Sequence, residues 1–202
     1  SPLGVFALMA SLVAENPDPG IFAGLGMYSL TLLLGLAIMI FGVYPLLVYL
    51  FTGKKYGFFF SGIGPAQLVA FTTSSSAATL PVTMERVEEH IGVDKEVSSF
   101  VLPVGATINM DGTSLYQGVA VIFLAQFHLI DLTLAQQLTI IFTATIASIG
   151  SAAVPSAGLI MLIIVLESVG LNPAWIAIIF PVDRILDMCR TVVNVTGDAA
   201  VS

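Results

Sequence analysis

Five polar residues near the end of the chain, Asp183, Asp187, Arg190, Asn194 and Asp198, recur inside an otherwise apolar run. At ~100° per residue of helix their side chains fall within about 80° of one another, which makes a single polar stripe. An ionised side chain at the centre of a bilayer costs roughly 2.5–3.5 kcal/mol on insertion scales, so several on one face need partners. Two readings stand. Asp187 and Arg190 are i, i+3 neighbours that could brace each other. A brace leaves net negative charge on the stripe, which a bound cation would neutralise. A second group, Asn109 and Asp111, lies beside Gly105, Thr107 and Gly112, where a helix is easily unwound and its carbonyls freed. Asp111, Asn109, Asp198 and Asn194 are hard oxygen donors without His or Cys beside them, a set that suits Na⁺ rather than zinc or copper. The planar guanidinium of Arg190 matches a carboxylate, and Asp187 could hold an ammonium group. Together they describe an acidic amino acid better than a plain dicarboxylate.

These residues need an apolar frame, and the composition supplies one. Of 202 residues 57% are hydrophobic and 9% charged, with mean hydropathy +1.01. Soluble domains have roughly 45–50% apolar and about 25% charged residues, so the chain reads as a membrane protein, with the lipid bilayer as a partner. Six Lys and Arg against thirteen acids exclude a nucleic-acid binder. The single Cys189 excludes a disulfide framework and a CxxC metal site. The chain begins Ser1-Pro2 rather than with methionine and is read as a piece of something longer; nothing in it resembles a cleavable signal peptide.

Residues 19–53, 56–84 and 132–166 carry no charge, and each stretch exceeds the roughly 20 residues that a helix needs to cross a bilayer. The spacing predicts the end of a helix and a loop over 1–20, then a transmembrane helix over 21–55. Residues 71–81 (FTTSSSAATLP) and 148–158 (SIGSAAVPSAG) put small and hydroxyl side chains and a proline in the middle of apolar runs. Backbone of that kind is not stable against lipid and is tolerated where protein or a cavity covers it. Two re-entrant helical hairpins are therefore expected, over 56–92 and 132–170, with tips meeting near mid-membrane. A helix with polar groups inside its span follows each, interrupted at Asn109–Thr113 over 97–130 and carrying the stripe over 172–202. Hairpin then polar helix, twice, is the internal symmetry of an inverted-repeat transporter. The expected fold class is an all-α membrane protein of that kind. Strand periodicity is absent, which excludes an outer-membrane barrel. The competing reading is a run of ordinary helices with Gly/Ser packing faces.

Three motifs, in order, resemble the glutamate transporter family, the dicarboxylate/amino acid:cation symporters that include archaeal aspartate transporters and excitatory amino-acid transporters. They are Ser74-Ser75-Ser76 with Thr79-Leu80-Pro81, the Asn-Met-Asp-Gly-Thr of 109–113, and the DMCRTVVNVTGD of 187–198. The resemblance covers nearly the whole chain. It places the start near the fifth transmembrane helix, so that 1–20 ends a scaffold helix, and the end inside the eighth, the substrate-binding helix, which is cut short. It implies Na⁺-coupled symport of aspartate or glutamate by an elevator mechanism in a homotrimer, and no enzymatic activity. Carried over residue by residue, Arg190 binds the substrate side-chain carboxylate and Asp187 its amino group. Asn194, Thr113 and the tip residues Ser75, Ser76 and Val154 hold the α-carboxylate and close the site, and Gly158 and Thr191 complete the substrate set. One Na⁺ site uses carbonyls of Gly105, Asn109 and Asn194 with the Asp198 carboxylate. A second uses Thr107, Met110, Ser148, Ile149 and Ser151, mainly through backbone. A third uses Asn109 and Asp111 with residues of a missing helix and is incomplete here.

The chain departs from the family at three places. Ser74 stands where archaeal members carry an arginine, as in the animal branch. Met188 stands where the animal branch carries a further arginine, and Arg184 offers one at a different offset. Gln117 replaces the glutamate assigned to proton coupling in animal members, which favours coupling to Na⁺ alone. The runner-up within the family is a proton-coupled, dicarboxylate or neutral amino-acid member; dicarboxylate members usually lack the equivalent of Asp187. From other classes, an intramembrane aspartyl protease would pair Asp111 with Asp183 or Asp187. It wants Gly-x-Gly-Asp, whereas this chain has Val195-Thr196-Gly197-Asp198. An ion channel leaves the Arg190/Asp187 pair without a purpose. His90 and His128 read as solvated loop histidines, and Lys54-Lys55 as the cytoplasmic edge.

Overall fold

The computed structural model describes residues 20–202, and every regular element among them is helical. The helix end and loop expected over 1–20 fall, but for Gly20, outside these residues. Helix α1 (Gly20–Ile38), a π turn (Met39–Val43) and α2 (Tyr44–Thr52) form one rod, and 20–52 is long and apolar enough to cross a membrane. The sequence reading had an uninterrupted helix here. Pro45 explains the wide turn: its ring lacks an N–H and presses on the carbonyl of Phe41, four residues back, inside the turn. The turn leaves Tyr44 only 3% exposed.

Two helical pairs follow, separated by a broken helix. Helix α3 (Tyr56–Thr73) stops at Ser74 in the left-handed region (φ 52°), and α4 (Ser76–Arg86) starts from Ser75, whose hydroxyl accepts from the Ala78 N–H at 3.1 Å. A π turn (Val87–Ile91) closed by Gly92 at φ 85° leads to α5 (Lys95–Ile108). Asn109 and Met110 leave helical geometry (φ −85°, ψ 78° and φ −112°, ψ 49°), and α6 (Asp111–Phe127) resumes. The second pair is α7 (Leu134–Ile149), opened by a Thr133/Gln136 capping box, and α8 (Ala157–Ser168). The tips touch: the Ser75 hydroxyl donates to the Ala153 carbonyl at 2.7 Å, and the Ala77 N–H approaches the same oxygen at 3.4 Å.

Helix α9 (Ile176–Val201) runs through the centre, against α1, α3, α5 and α6. It separates two apolar cores. Ile179, Leu186 and Val193 join one built with α1, α6, α7 and α8; Val195 and Ala199 join another with Phe59, Ile63, Ala66 and Leu102. The polar stripe lies between these flanks. On the outside stand large apolar side chains such as Phe51, Phe100, Phe142 and Ile160, a surface that water would penalise and lipid would not. His90 is exposed beside Arg86, at 2.7 Å. His128 differs from the solvated reading: its ring stacks on Trp175 at 3.6 Å between centroids and is half-buried.

Helix α6 lies close against α9 at Gly112. A Cβ there would lie 2.7 Å from the Arg190 carbonyl oxygen and 3.1 Å from the Val193 Cβ. Gly112→Ala is expected to push the two helices apart at a cost of about 1–3 kcal/mol. The check is the thermal unfolding midpoint of the full-length protein, which should fall.

Candidate functional site

Asp187 and Arg190 face each other one turn apart on α9, where the i, i+3 spacing allows their ends to meet. Asp187 Oδ1 accepts a short bond from Arg190 Nη2. Its Oδ2 accepts from the Ser156 N–H at 2.9 Å, on the loop that begins α8. The Thr191 hydroxyl donates back to the Asp187 carbonyl at 2.9 Å. Arg184 reaches only to 3.8 Å from Asp187 Oδ2 with half its side chain exposed, so it is a peripheral partner.

The Arg190 side chain is buried, only 2% exposed. The guanidinium carbon sits 4.1 Å over the Tyr116 ring, and Nη1 lies 3.8 Å from Asp183 Oδ1 without a hydrogen bond. Gly158 gives it room, since a Cβ there would lie 3.0 Å from Nη1. Around this pair is a cavity of about 20 Å³, walled by both tips, the break and α9. Ser74 and Ser76 come from the first tip, Ser151, Val154 and Gly158 from the second, Met110 and Thr113 from the break, and Asp187, Arg190, Thr191 and Asn194 from α9. That volume holds about one water molecule.

Eight of the nine residues assigned to the substrate by resemblance thus converge on the cavity, and Ser75 does not line it. Its hydroxyl is occupied by the Ala153 carbonyl and the cap of α4. Ser74, part of the first motif but not assigned to the substrate, takes its place, with a buried hydroxyl that has no hydrogen-bond partner among the described residues. Tyr116 and the Ser156 N–H also escaped sequence reasoning. Tyr116 stands at i+3 from Thr113 on the same face, but an aromatic inside an apolar helix reads as core packing.

Of the residues assigned to Na⁺, Ser151 lines the cavity at Arg190, and the others except Thr107 divide into two places. At the first, the Asn109 amide donates to Asp198 Oδ1 at 2.9 Å, and a Cβ on Gly105 would meet that oxygen at 2.7 Å. Only a glycine leaves space for the carboxylate against the α5 backbone. Asn194 Oδ1 accepts from the Gly112 N–H at 2.8 Å, while its amide reaches Thr113 Oγ1 and Met110 Sδ, each at 3.2 Å. The second place is an open, mostly apolar groove of about 750 Å³, with Asn109, Met110, Asp111, Ser148 and Ile149 on its wall. Asp111 is exposed there, and its Oδ2 accepts from the Tyr44 hydroxyl at 3.0 Å. Thr107 is not brought to either cavity; its hydroxyl turns back onto the Val104 carbonyl at 2.9 Å. No group of three His, Cys, Asp or Glu side chains gathers among the described residues. The donors are amide, hydroxyl and carbonyl oxygens with isolated carboxylates, which fits a singly charged hard cation.

The profile of the Sodium:dicarboxylate symporter family matches residues 1–202. The chain is 50% identical over 200 residues to excitatory amino acid transporter 1 of Mus musculus, aligning 98% of this chain with 37% of that protein. Identity to excitatory amino acid transporter 3 of Homo sapiens is 50% over 198 residues, 98% of this chain and 38% of that protein. The chain therefore spans well under half the length of these relatives.

The buried pair makes a prediction about stability. Asp187→Asn removes the charge that balances Arg190 and is expected to cost about 3–5 kcal/mol, lowering the unfolding midpoint. Combining it with Arg190→Leu and Asp183→Asn should recover most of the loss, because Asp183 is buried beside Arg190 and the triple variant leaves none of the three charges unpaired. Both are read by thermal unfolding.

Proposed function

The chain belongs to the sodium:dicarboxylate symporter family, and from that premise we propose that it is the substrate-binding part of a Na⁺-coupled symporter of acidic amino acids, aspartate or glutamate. The observation that carries this reading is the buried Asp187–Arg190 pair in a cavity closed by two helical tips, with Arg190 Nη1 and the Ser74 hydroxyl lacking hydrogen-bond partners among the described residues. A substrate side-chain carboxylate would take the guanidinium edge, in the bidentate geometry that Arg favours. The substrate ammonium would replace the guanidinium at Asp187. Asn194, Thr113 and Ser76 would receive the α-carboxylate. With room for about one water, the cavity admits an amino acid only after the tips part, and the Ser75–Ala153 contact is the latch.

Na⁺ travels as a second substrate in this scheme. Asp198, Asn109, Asn194 and the Gly105 carbonyl would form one site, Met110, Ser148, Ile149, Ser151 and the backbone of Thr107, whose hydroxyl is turned away, a second, and Asn109 with Asp111 part of a third. Coupling has a physical source in shared residues: Asn194 and Met110 border the substrate cavity and also touch the break that would hold the ion. A cation that orders the break organises both, so each ligand raises the affinity of the other. Gln117 has no proton to give, which supports coupling to Na⁺ alone. Two re-entrant hairpins, elevator movement of this part across a multi-pass membrane protein, and a homotrimer belong to the same proposal; the apolar outer surface and the paired tips support it.

Calorimetry with the full-length protein tests the reading. Aspartate binding should vanish without Na⁺, and Arg190→Ala should weaken it about a hundredfold or more, the worth of a bidentate charged hydrogen bond. Succinate should bind more weakly than aspartate because Asp187 gains nothing from it. Binding that ignores Na⁺ would remove sodium from the scheme, and succinate matching aspartate would point to a dicarboxylate carrier.

A further inference from the structure

We infer that Tyr44 is a positioning residue for the cation site at Asp111, its hydroxyl pinning one carboxylate oxygen so that the other is held toward the ion. The inference rests on the sodium reading above and adds a residue that the reading does not use. Tyr44 lies 67 positions from Asp111 in the chain and is buried, yet its hydroxyl donates to Asp111 Oδ2 at 3.0 Å. The Pro45-induced π turn brings the side chain in, and Gly197 on α9 lets it arrive. A Cβ on Gly197 would lie 2.9 Å from the Tyr44 hydroxyl and 2.9 Å from the Asn109 amide nitrogen. Two neutral donors therefore meet over one glycine. Asn109 holds Asp198, and Tyr44 holds Asp111.

The chemistry suits the task. The last torsion of an aspartate is broad, so an unheld carboxylate spends its ordering entropy when an ion arrives. A phenol fixes that torsion without bringing a positive charge that would compete with the cation. Asp111 stands exposed on the groove wall, so its second oxygen stays within reach of a ligand.

The test uses the full-length protein in detergent, titrated with NaCl at constant ionic strength. One readout is the Na⁺-induced rise in unfolding midpoint without amino acid; the other is aspartate affinity at saturating Na⁺. Tyr44→Phe keeps the ring and removes the hydroxyl. It should raise the half-effective Na⁺ concentration by about tenfold while aspartate affinity at saturating Na⁺ changes less than about twofold. In an Asp111→Asn background Tyr44→Phe should add no further shift. An unchanged Na⁺ response in Tyr44→Phe overturns the inference and leaves the sodium reading intact. So does an equal loss of aspartate affinity at saturating Na⁺, or the same shift in the Asp111→Asn background, since either marks a packing role. A wild-type protein that binds aspartate and ignores Na⁺ overturns both.

Discussion

An ionised guanidinium and a carboxylate have been taken together into an apolar body, and the arrangement of the protein follows from keeping them satisfied. Neither charge tolerates that environment alone, because removing one partner leaves the other buried and uncompensated. Arg190 is therefore supported from several elements at once: Asp187 one turn away, Asp183 behind it, the Tyr116 face beneath it and the gap left by Gly158 above it. Helix α9 can present this stripe only because its flanks are anchored in two separate apolar cores. The stripe lies along the seam between them.

The same need for partners explains why the irregular backbone is concentrated where it is. A break in a helix frees N–H and C=O groups that must be satisfied again. Here the breaks find partners in one another and on α9. The first tip sends the Ser75 hydroxyl to the Ala153 carbonyl of the second; the second tip sends the Ser156 N–H to Asp187; the break before α6 sends the Gly112 N–H to Asn194. The tips and the break are thus tied to one another through the polar stripe rather than held independently. A ligand that changed one of these bonds would disturb the others, which is the physical content of coupling between two binding events.

Conserving space matters as much as supplying donors. Gly105, Gly112, Gly158 and Gly197 each stand where a Cβ would run into a polar group of α9 or of its neighbours, at 3.0 Å or less. In an apolar protein such contacts are made by letting backbones approach closely, and small residues are the means. The glycines thus mark the surfaces of the site as clearly as its charged side chains do.

Periodicity made much of this legible without a structure. The stripe on α9 follows from five polar residues recurring at helical spacing, the interruption at Asn109 from the polar and glycine residues around it, and the two tips from hydroxyl-rich runs inside apolar stretches. These are local signals, set by which residues share a face over a few turns. What lay beyond reach depends on which distant faces meet. Ser74 and Ser75 are neighbours of the same chemistry, yet a left-handed residue between two helices sends one hydroxyl to the cavity and the other to the opposite tip. His128 is stacked on a tryptophan nearly fifty residues on, Thr107 turns away from the site its neighbours build, and Tyr44 finds Asp111 across the fold. No pattern within a helix encodes those pairings. They are decided when elements pack, because the partner of a side chain is chosen by the surface that arrives opposite it.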